Sequence, residues 1–139
     1  MAPKVLRLVL ALSGWGVLMM AMPAVSSAEP VVVSDIRFAG DESGIERVCF
    51  VLNRFCDPRV FSLEGSNPRI VIDVKDVQSW KGNSKIPVNG VLVRQVRTHF
   101  HRDKHTLRIV LDLTPAMDYT AEPIYYQAEG IYCMAVSAK

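Results

Sequence analysis

The chain has 139 residues and a formal net charge of +2, from 16 basic and 14 acidic side chains. Two of the basic residues, Lys4 and Arg7, lie in the first 28 positions, so the stretch from Glu29 to Lys139 has 14 basic and 14 acidic side chains. This balance gives no support to bulk attraction to nucleic acid or anionic membranes, although a local patch can still bind an acidic partner. The length excludes a catalytic domain joined to a separate binding domain.

The first 28 residues predict a secretory signal peptide. Lys4 and Arg7 precede an apolar run from Leu8 to Met22, and small residues follow as far as Ala28. The apolar run has about 15 residues and stops at Pro23, whereas a spanning helix needs about 20. We therefore expect cleavage after Ala28, export to the periplasm, and membrane contact only through an uncleaved leader.

From Val31 onward, the pattern predicts an all-β domain that extends from residue 29 to residue 139. Short runs rich in Val, Ile, Phe and Tyr alternate with Gly, Pro, Asn and Asp, and no segment has the pattern of a long helix. About eight strands are expected, a natural number for a β-sandwich of two facing, similar sheets. In chain order the predicted strands are Val31–Phe38, Glu46–Leu52, Arg59–Leu63, Arg69–Val74, Val91–Phe100, Thr106–Leu113, Tyr119–Tyr126 and Ile131–Ser137.

Alternation along the strands predicts which side chains form the core. Successive side chains of a strand point to opposite faces, so residues two apart share a face. The predicted core positions are Val48, Phe50 and Leu52, then Ile70, Ile72 and Val74, and then Leu107, Ile109, Leu111 and Leu113. The intervening charged positions are expected to face outward and to pair across strands; they are Arg69, Asp73, Arg108 and Asp112.

A short pattern occurs twice in the sequence. Arg69–Val74 recurs as Arg108–Leu113, with four of six residues identical. Two related halves of the domain would explain the repeat, and so would the ordinary composition of a half-buried strand. The longest irregular stretch, Lys75–Asn89, is expected to cross from one sheet or half to the other.

The three cysteines, Cys49, Cys56 and Cys133, leave two interpretations open. Export permits a disulfide, and a Cys49–Cys56 bridge across a hairpin is the predicted pairing. Alternatively, all three pack as small apolar groups. The absence of Cys-x-x-Cys spacing argues against redox catalysis and a zinc knuckle.

The chain resembles the AMIN domain, the amidase N-terminal module of periplasmic N-acetylmuramoyl-L-alanine amidases and of type IV pilus secretins. The order and spacing of several segments carry the resemblance along almost the whole mature chain. These segments are Val33–Phe38, Phe61–Val74, Gly90–Arg97 and Leu107–Leu113, followed by an aromatic strand and a short final strand. The resemblance implies a sandwich of two similar sheets that binds peptidoglycan and directs an attached protein to envelope sites.

Two features depart from that resemblance. Family members usually carry the domain as an attachment, whereas this sequence ends at Lys139. We therefore expect it to act alone, as an adaptor, or with an amidase or secretin in trans. After Arg97, where the family often has a small residue and Gln, this sequence has Thr98, His99 and Phe100.

Basic and aromatic residues provide the candidate peptidoglycan-binding site. Guanidinium groups suit muropeptide carboxylates because their planar N–H groups bind a carboxylate in a bidentate manner, and an exposed tyrosine ring can cover a sugar. The basic residues between Arg94 and Arg108 are also explained, and somewhat more simply, by a solvated hairpin with a charged tip. The candidate residues are Arg69, Arg94, Arg97, Arg108 and Tyr126.

The sequence predicts no catalytic residue, cofactor or metal site. His99, His101 and His105 have a spacing that resembles a zinc site, but no Glu lies beside them. No serine lies in a nucleophile-elbow pattern. The favoured function is thus a non-catalytic periplasmic peptidoglycan-binding module. The alternatives are a protein-interaction subunit of a secretin or type IV pilus assembly, and a metal-dependent envelope hydrolase.

Overall fold

The computed structural model describes residues 22–24 and 29–139, and most of the predicted signal peptide lies outside these residues. The described chain contains one short 3₁₀ turn, η1 (Arg102–Lys104), and no helix in it is long and apolar enough to cross a membrane. Its strands are β1 (Val33–Gly40), β2 (Glu46–Leu52), β3 (Arg59–Leu63), β4 (Arg69–Val74), β5 (Lys85–Ile86), β6 (Val93–His101), β7 (Thr106–Leu113), β8 (Tyr119–Tyr126) and β9 (Ile131–Ala138).

The strands form two antiparallel sheets, which confirms the predicted all-β sandwich. The four-stranded sheet has the order β1-β2-β9-β8, and the five-stranded sheet has the order β3-β4-β7-β6-β5. The chain passes between the sheets twice, from β2 to β3 and from β7 to β8. The two copies of the repeat, β4 and β7, are direct neighbours in the five-stranded sheet.

The core lies between the two sheets, and the alternation predicted its members. All ten predicted core residues from Val48 to Leu113 are at most 4% exposed. Met134, Val136 and Tyr132 of β9 extend the core beside β2 on the side of the four-stranded sheet. Burial of one such side chain contributes on the order of 1.5–3 kcal/mol.

The prediction that Lys75–Asn89 crosses between the sheets is wrong. The segment connects β4 to β6. Both strands belong to the five-stranded sheet, where β7 lies between them. On its way it follows one end of the sandwich, where Val77 forms a bridge with Val31 and donates a backbone hydrogen bond to His105. It also contains β5, which is too short to have a detectable alternation.

A buried carboxylate connects the two sheets. Glu46, on β2, accepts backbone hydrogen bonds from Val91, Leu92 and Val93 at the start of β6. Gly90 allows this approach, since a Cβ atom there would lie 2.8 Å from Glu46 Oε2. Glu46 thereby fixes the end of the five-stranded sheet against the four-stranded sheet.

The predicted Cys49–Cys56 bridge is also wrong, because the disulfide joins Cys49 to Cys133. These two residues lie directly opposite each other on β2 and β9, with Cα atoms 4.0 Å apart. Cys56 follows β2 in the connection to the other sheet, so no hairpin brings it back to Cys49. Its free thiol packs against the core, and burial raises its pKa.

Candidate binding face of the five-stranded sheet

The outer face of the five-stranded sheet carries charged and polar side chains that line up across neighbouring strands. Residues that are paired across antiparallel strands stand side by side on one face. The pairing places Arg59, Asp73, Arg108 and His99 in one row across β3, β4, β7 and β6. The hydrogen-bonded strands hold these groups on a rigid support, which is suited to binding a ligand with little reorganisation.

Asp73 and Arg108 form the central ion pair of this face. The guanidinium Nε and Nη2 atoms lie 2.8 Å and 2.9 Å from the two carboxylate oxygens. Asp73 is only 6% exposed, and the hydrogen bonds from Arg108 lower its pKa, as the same contact raises the pKa of Arg108. The pair confirms, for Asp73 and Arg108, the prediction that outward charges pair across strands.

Asp112, the acidic residue in the second copy of the repeat, does not pair with the arginine of the first copy. Asp112 stands opposite Arg69 in the β4–β7 register, yet its carboxylate binds Arg97 of β6 at 2.6 Å and 2.9 Å. These hydrogen bonds raise the pKa of Arg97. Among the described residues Arg69 forms no ion pair, so its guanidinium is available to a ligand.

The ring of Phe61, on the edge strand β3, contacts the guanidinium groups of Arg59 and Arg108. The guanidinium carbons of Arg59 and Arg108 lie 5.2 Å and 5.7 Å from its ring centroid, within the range of cation–π attraction. Arg59 is exposed and forms no ion pair among the described residues. Sequence reasoning missed both Arg59 and Phe61, although alternation along β3 puts them on one face.

The structure brings together three of the five candidate residues. Arg69, Arg97 and Arg108 share the outer face of the five-stranded sheet, as described above. Arg94 is exposed at the margin of this face, where β6 has an irregular register and lines a shallow cavity with Lys85 and Asp112. Tyr126 is 43% exposed on β8, in the other sheet, and does not join the group.

The three histidines do not form one cluster. His99 and His101 lie on β6 with ring centroids 4.3 Å apart, in an edge-to-face arrangement. His105 follows η1 and instead lines a cavity with Arg54 and Asp76. In residues 22–24 and 29–139, no group of three or more His, Cys, Asp or Glu side chains could hold a metal ion.

A groove of about 590 Å³ lies beside this face, between the open edges of the two sheets. Ile70, Leu113 and Tyr119 are among its apolar and aromatic lining residues. Arg69 and Lys139 are among the polar groups that line it. The unpaired Arg69 therefore belongs both to the outer face and to the groove.

Comparison with known families identifies the fold that carries this face. The family model described as the AMIN domain matches residues 35–132. The chain belongs to the AMIN domain family. A search of the curated proteins finds no match to the chain.

The AMIN match contains both ion pairs and the whole five-stranded sheet. It begins within β1 and ends within β9, so every strand of the sandwich contributes to it. Arg59, Phe61 and Arg69 lie inside the matched range. The candidate face is thus part of the AMIN domain itself.

Proposed function

We propose that this AMIN domain is a non-catalytic, exported module that binds peptidoglycan through the outer face of its five-stranded sheet. Peptidoglycan combines sugar rings with short peptides that carry carboxylates. An arginine-rich, rigid face with the aromatic ring of Phe61 at one edge matches both kinds of group. Membership of the AMIN family, whose members bind peptidoglycan and target amidases and secretins, supports the same conclusion.

The array of arginines is the observation that carries the proposal. A guanidinium has five N–H groups, and the bidentate pairs of Arg97 and Arg108 use two in each case. The remaining N–H groups of these two residues can bind a ligand while their carboxylate partners hold them in position. Arg59 and Arg69 have no carboxylate partner among the described residues and supply the cations that a stem-peptide carboxylate can neutralise.

Co-sedimentation with purified sacculi tests the proposal. The chain from Glu29 to Lys139 is compared with the double variant Arg59→Ala/Arg69→Ala, which removes two arginines without breaking an ion pair of the face. The control is Arg37→Ala/Arg47→Ala, which removes two arginines from the four-stranded sheet and causes the same change in net charge.

We expect the wild-type chain and the control to pellet with sacculi, and the Arg59/Arg69 variant to stay in the supernatant. Equal loss in both double variants would mean that only net charge matters. If the wild-type chain stays in the supernatant over a range of salt concentrations and pH values, the proposal that it binds the wall is wrong.

Export is part of the proposal and has its own test. The Lys4 to Ala28 segment has the pattern of a signal peptide, and an AMIN domain that binds the wall has to reach the periplasm. Expression of the full chain in a Gram-negative host is expected to yield a periplasmic protein that begins at Glu29. Its intact mass distinguishes this product from the uncleaved chain.

A further inference from the structure

In the part of the chain that the structure describes, three of the four edge strands carry features that hinder pairing with another chain. β1 has an irregular register between Val33 and Asp35, β5 has only two residues, and β8 contains Pro123. Bulges, short strands and proline are the usual protection of a sheet edge. The edge strand β3 differs, since its five residues pair with β4 in continuous register and include no proline.

The hydrogen bonds of β4 identify the free groups of β3. The backbone N–H of Leu113 donates to the C=O of Pro68 at 2.9 Å, so these two residues form a hydrogen-bonded pair of the β4–β7 ladder. Along a strand, successive residues direct their N–H and C=O groups to opposite sides. The backbone N–H and C=O groups of Ile70 and Ile72 therefore point to β7, whereas those of Val71 and Asp73 point to β3.

It follows that β3 has an unused row of backbone donors and acceptors. Arg59 and Phe61 lie opposite Asp73 and Val71, and their backbone N–H and C=O groups form hydrogen bonds with β4. Val60 and Ser62 direct theirs away from the sheet, where no strand formed by residues 22–24 or 29–139 lies. Another extended chain can bind to these groups by β-augmentation.

The side chains around this edge indicate what such a chain would look like. Val60 is 39% exposed, and Ser62 on the same side of β3 lines the groove between the sheets. Apolar side chains next to Val60 would cover this surface. On the other side of β3, Arg59 is exposed and unpaired among the described residues, so it favours acidic side chains beside it.

We propose that β3 is a docking edge for an extended segment of a partner polypeptide in which apolar and acidic side chains alternate. A second copy of this chain fits the edge less well, because the outer side of β3 presents Arg59, Phe61 and Leu63 and no carboxylate. This edge shares Arg59 with the proposed peptidoglycan-binding face, but it binds its partner through the backbone of Val60 and Ser62, which the wall-binding proposal does not use.

The test uses a short blocked peptide that alternates valine and glutamate, with a peptide of valine and lysine as its control. Binding to the isotopically labelled chain from Glu29 to Lys139 is followed by NMR. Ser62→Pro removes the outward N–H without removing a hydrogen bond to β4, and Ser62→Ala removes the same hydroxyl but keeps the N–H. Thermal melts establish that both variants fold.

We expect the glutamate peptide to bind at least about tenfold more weakly to Ser62→Pro than to Ser62→Ala, equivalent to one backbone hydrogen bond of about 1.4 kcal/mol. In the wild-type chain, the amide protons of Val60 and Ser62 are expected to exchange more slowly in the complex, which tests the edge even if the proline variant does not fold. Arg59→Glu should reverse the preference towards the lysine peptide.

Three results would overturn this proposal. The first is peptide binding that Ser62→Pro leaves unchanged, and the second is amide shifts confined to other strands. The third is self-association of the wild-type chain that Ser62→Pro abolishes, which would assign the edge to a second copy. Ser62→Pro should still pellet with sacculi, so failure at the edge and failure of wall binding are distinguishable.

Discussion

The Glu46 carboxylate on β2 lies 2.7 Å from the backbone nitrogen of Val93, the first residue of β6 in the opposite sheet. The same carboxylate binds the N–H groups of Val91 and Leu92. We predict that Glu46→Ala lowers the free energy of unfolding by about 2–4 kcal/mol, because buried donors lose their acceptor. Urea unfolding measures this loss. The exposed Glu42→Ala control should change it by no more than about 0.5 kcal/mol, and equal effects of the two substitutions would contradict the role of Glu46.

Gly90 is predicted to tolerate no side chain. A Cβ atom there would lie 2.5 Å from the Val93 carbonyl oxygen and 2.8 Å from Phe38 Cζ. Gly90→Ala should therefore lower the free energy of unfolding by about 1–3 kcal/mol. At Gly40 the nearest atom would lie 3.8 Å away, so Gly40→Ala is the matched control. If both variants melt at the wild-type temperature, the close packing at Gly90 is not as described.

The Asp73–Arg108 pair predicts a pH dependence of stability. The folded-state pKa of Asp73 lies below its unfolded value of about 3.9, so its contribution is complete above that pH and is lost as the pH falls through the folded pKa. Unfolding measured from pH 7 to pH 2 should show a larger loss for the wild type than for Asp73→Asn. The expected difference is about 1–2 kcal/mol, since the Arg108 side chain is 40% exposed and partly screened.

Asp41 provides the internal comparison for this titration. Its pKa is lowered as well, chiefly by a hydrogen bond from the Ser43 hydroxyl, and it is present in both proteins. Its contribution therefore cancels in the difference between wild type and Asp73→Asn. Parallel acid-unfolding curves for the two proteins would show that the Asp73 pair contributes no pH-dependent stability.

The disulfide between Cys49 and Cys133 is predicted to be a main source of stability. It closes a loop with a sequence separation of 84 residues, so Cys49→Ala/Cys133→Ala should cost about 3–4 kcal/mol. Cys56→Ala should have a much smaller effect. Alkylation of the unfolded, unreduced chain should modify Cys56 alone, as read by peptide mass. Modification of Cys49 or Cys133 with Cys56 protected would contradict the pairing.

The sequence predicted most strands because their alternation is strong. The bounds of β2, β3, β4, β7 and β8 agree with the prediction residue for residue, since each strand has clear punctuation at its ends. Alternation says nothing about which strands are neighbours. For that reason the path of Lys75–Asn89 and the partner of Cys49 were predicted wrongly.

The candidate face was predictable only in part, for a related reason. Alternation predicted that outward charges would pair across strands, and Asp73 and Arg108 do so. The sequence could not predict that Asp112 would pair with Arg97 and not with Arg69. That pairing depends on β6 lying beside β7 and on the irregular register of β6 between Val93 and Gln95. The role of Phe61 depends likewise on the position of β3 at the sheet edge.

Binding of peptidoglycan to the outer face is tested most directly by an NMR titration of the labelled chain from Glu29 to Lys139 with a soluble disaccharide-peptide fragment of peptidoglycan. We expect amide and side-chain shifts at Arg59, Phe61, Arg69 and Arg108 that saturate together, and their loss in Arg59→Ala/Arg69→Ala. Shifts confined to the four-stranded sheet around Tyr126, or no shifts at any concentration, would contradict it.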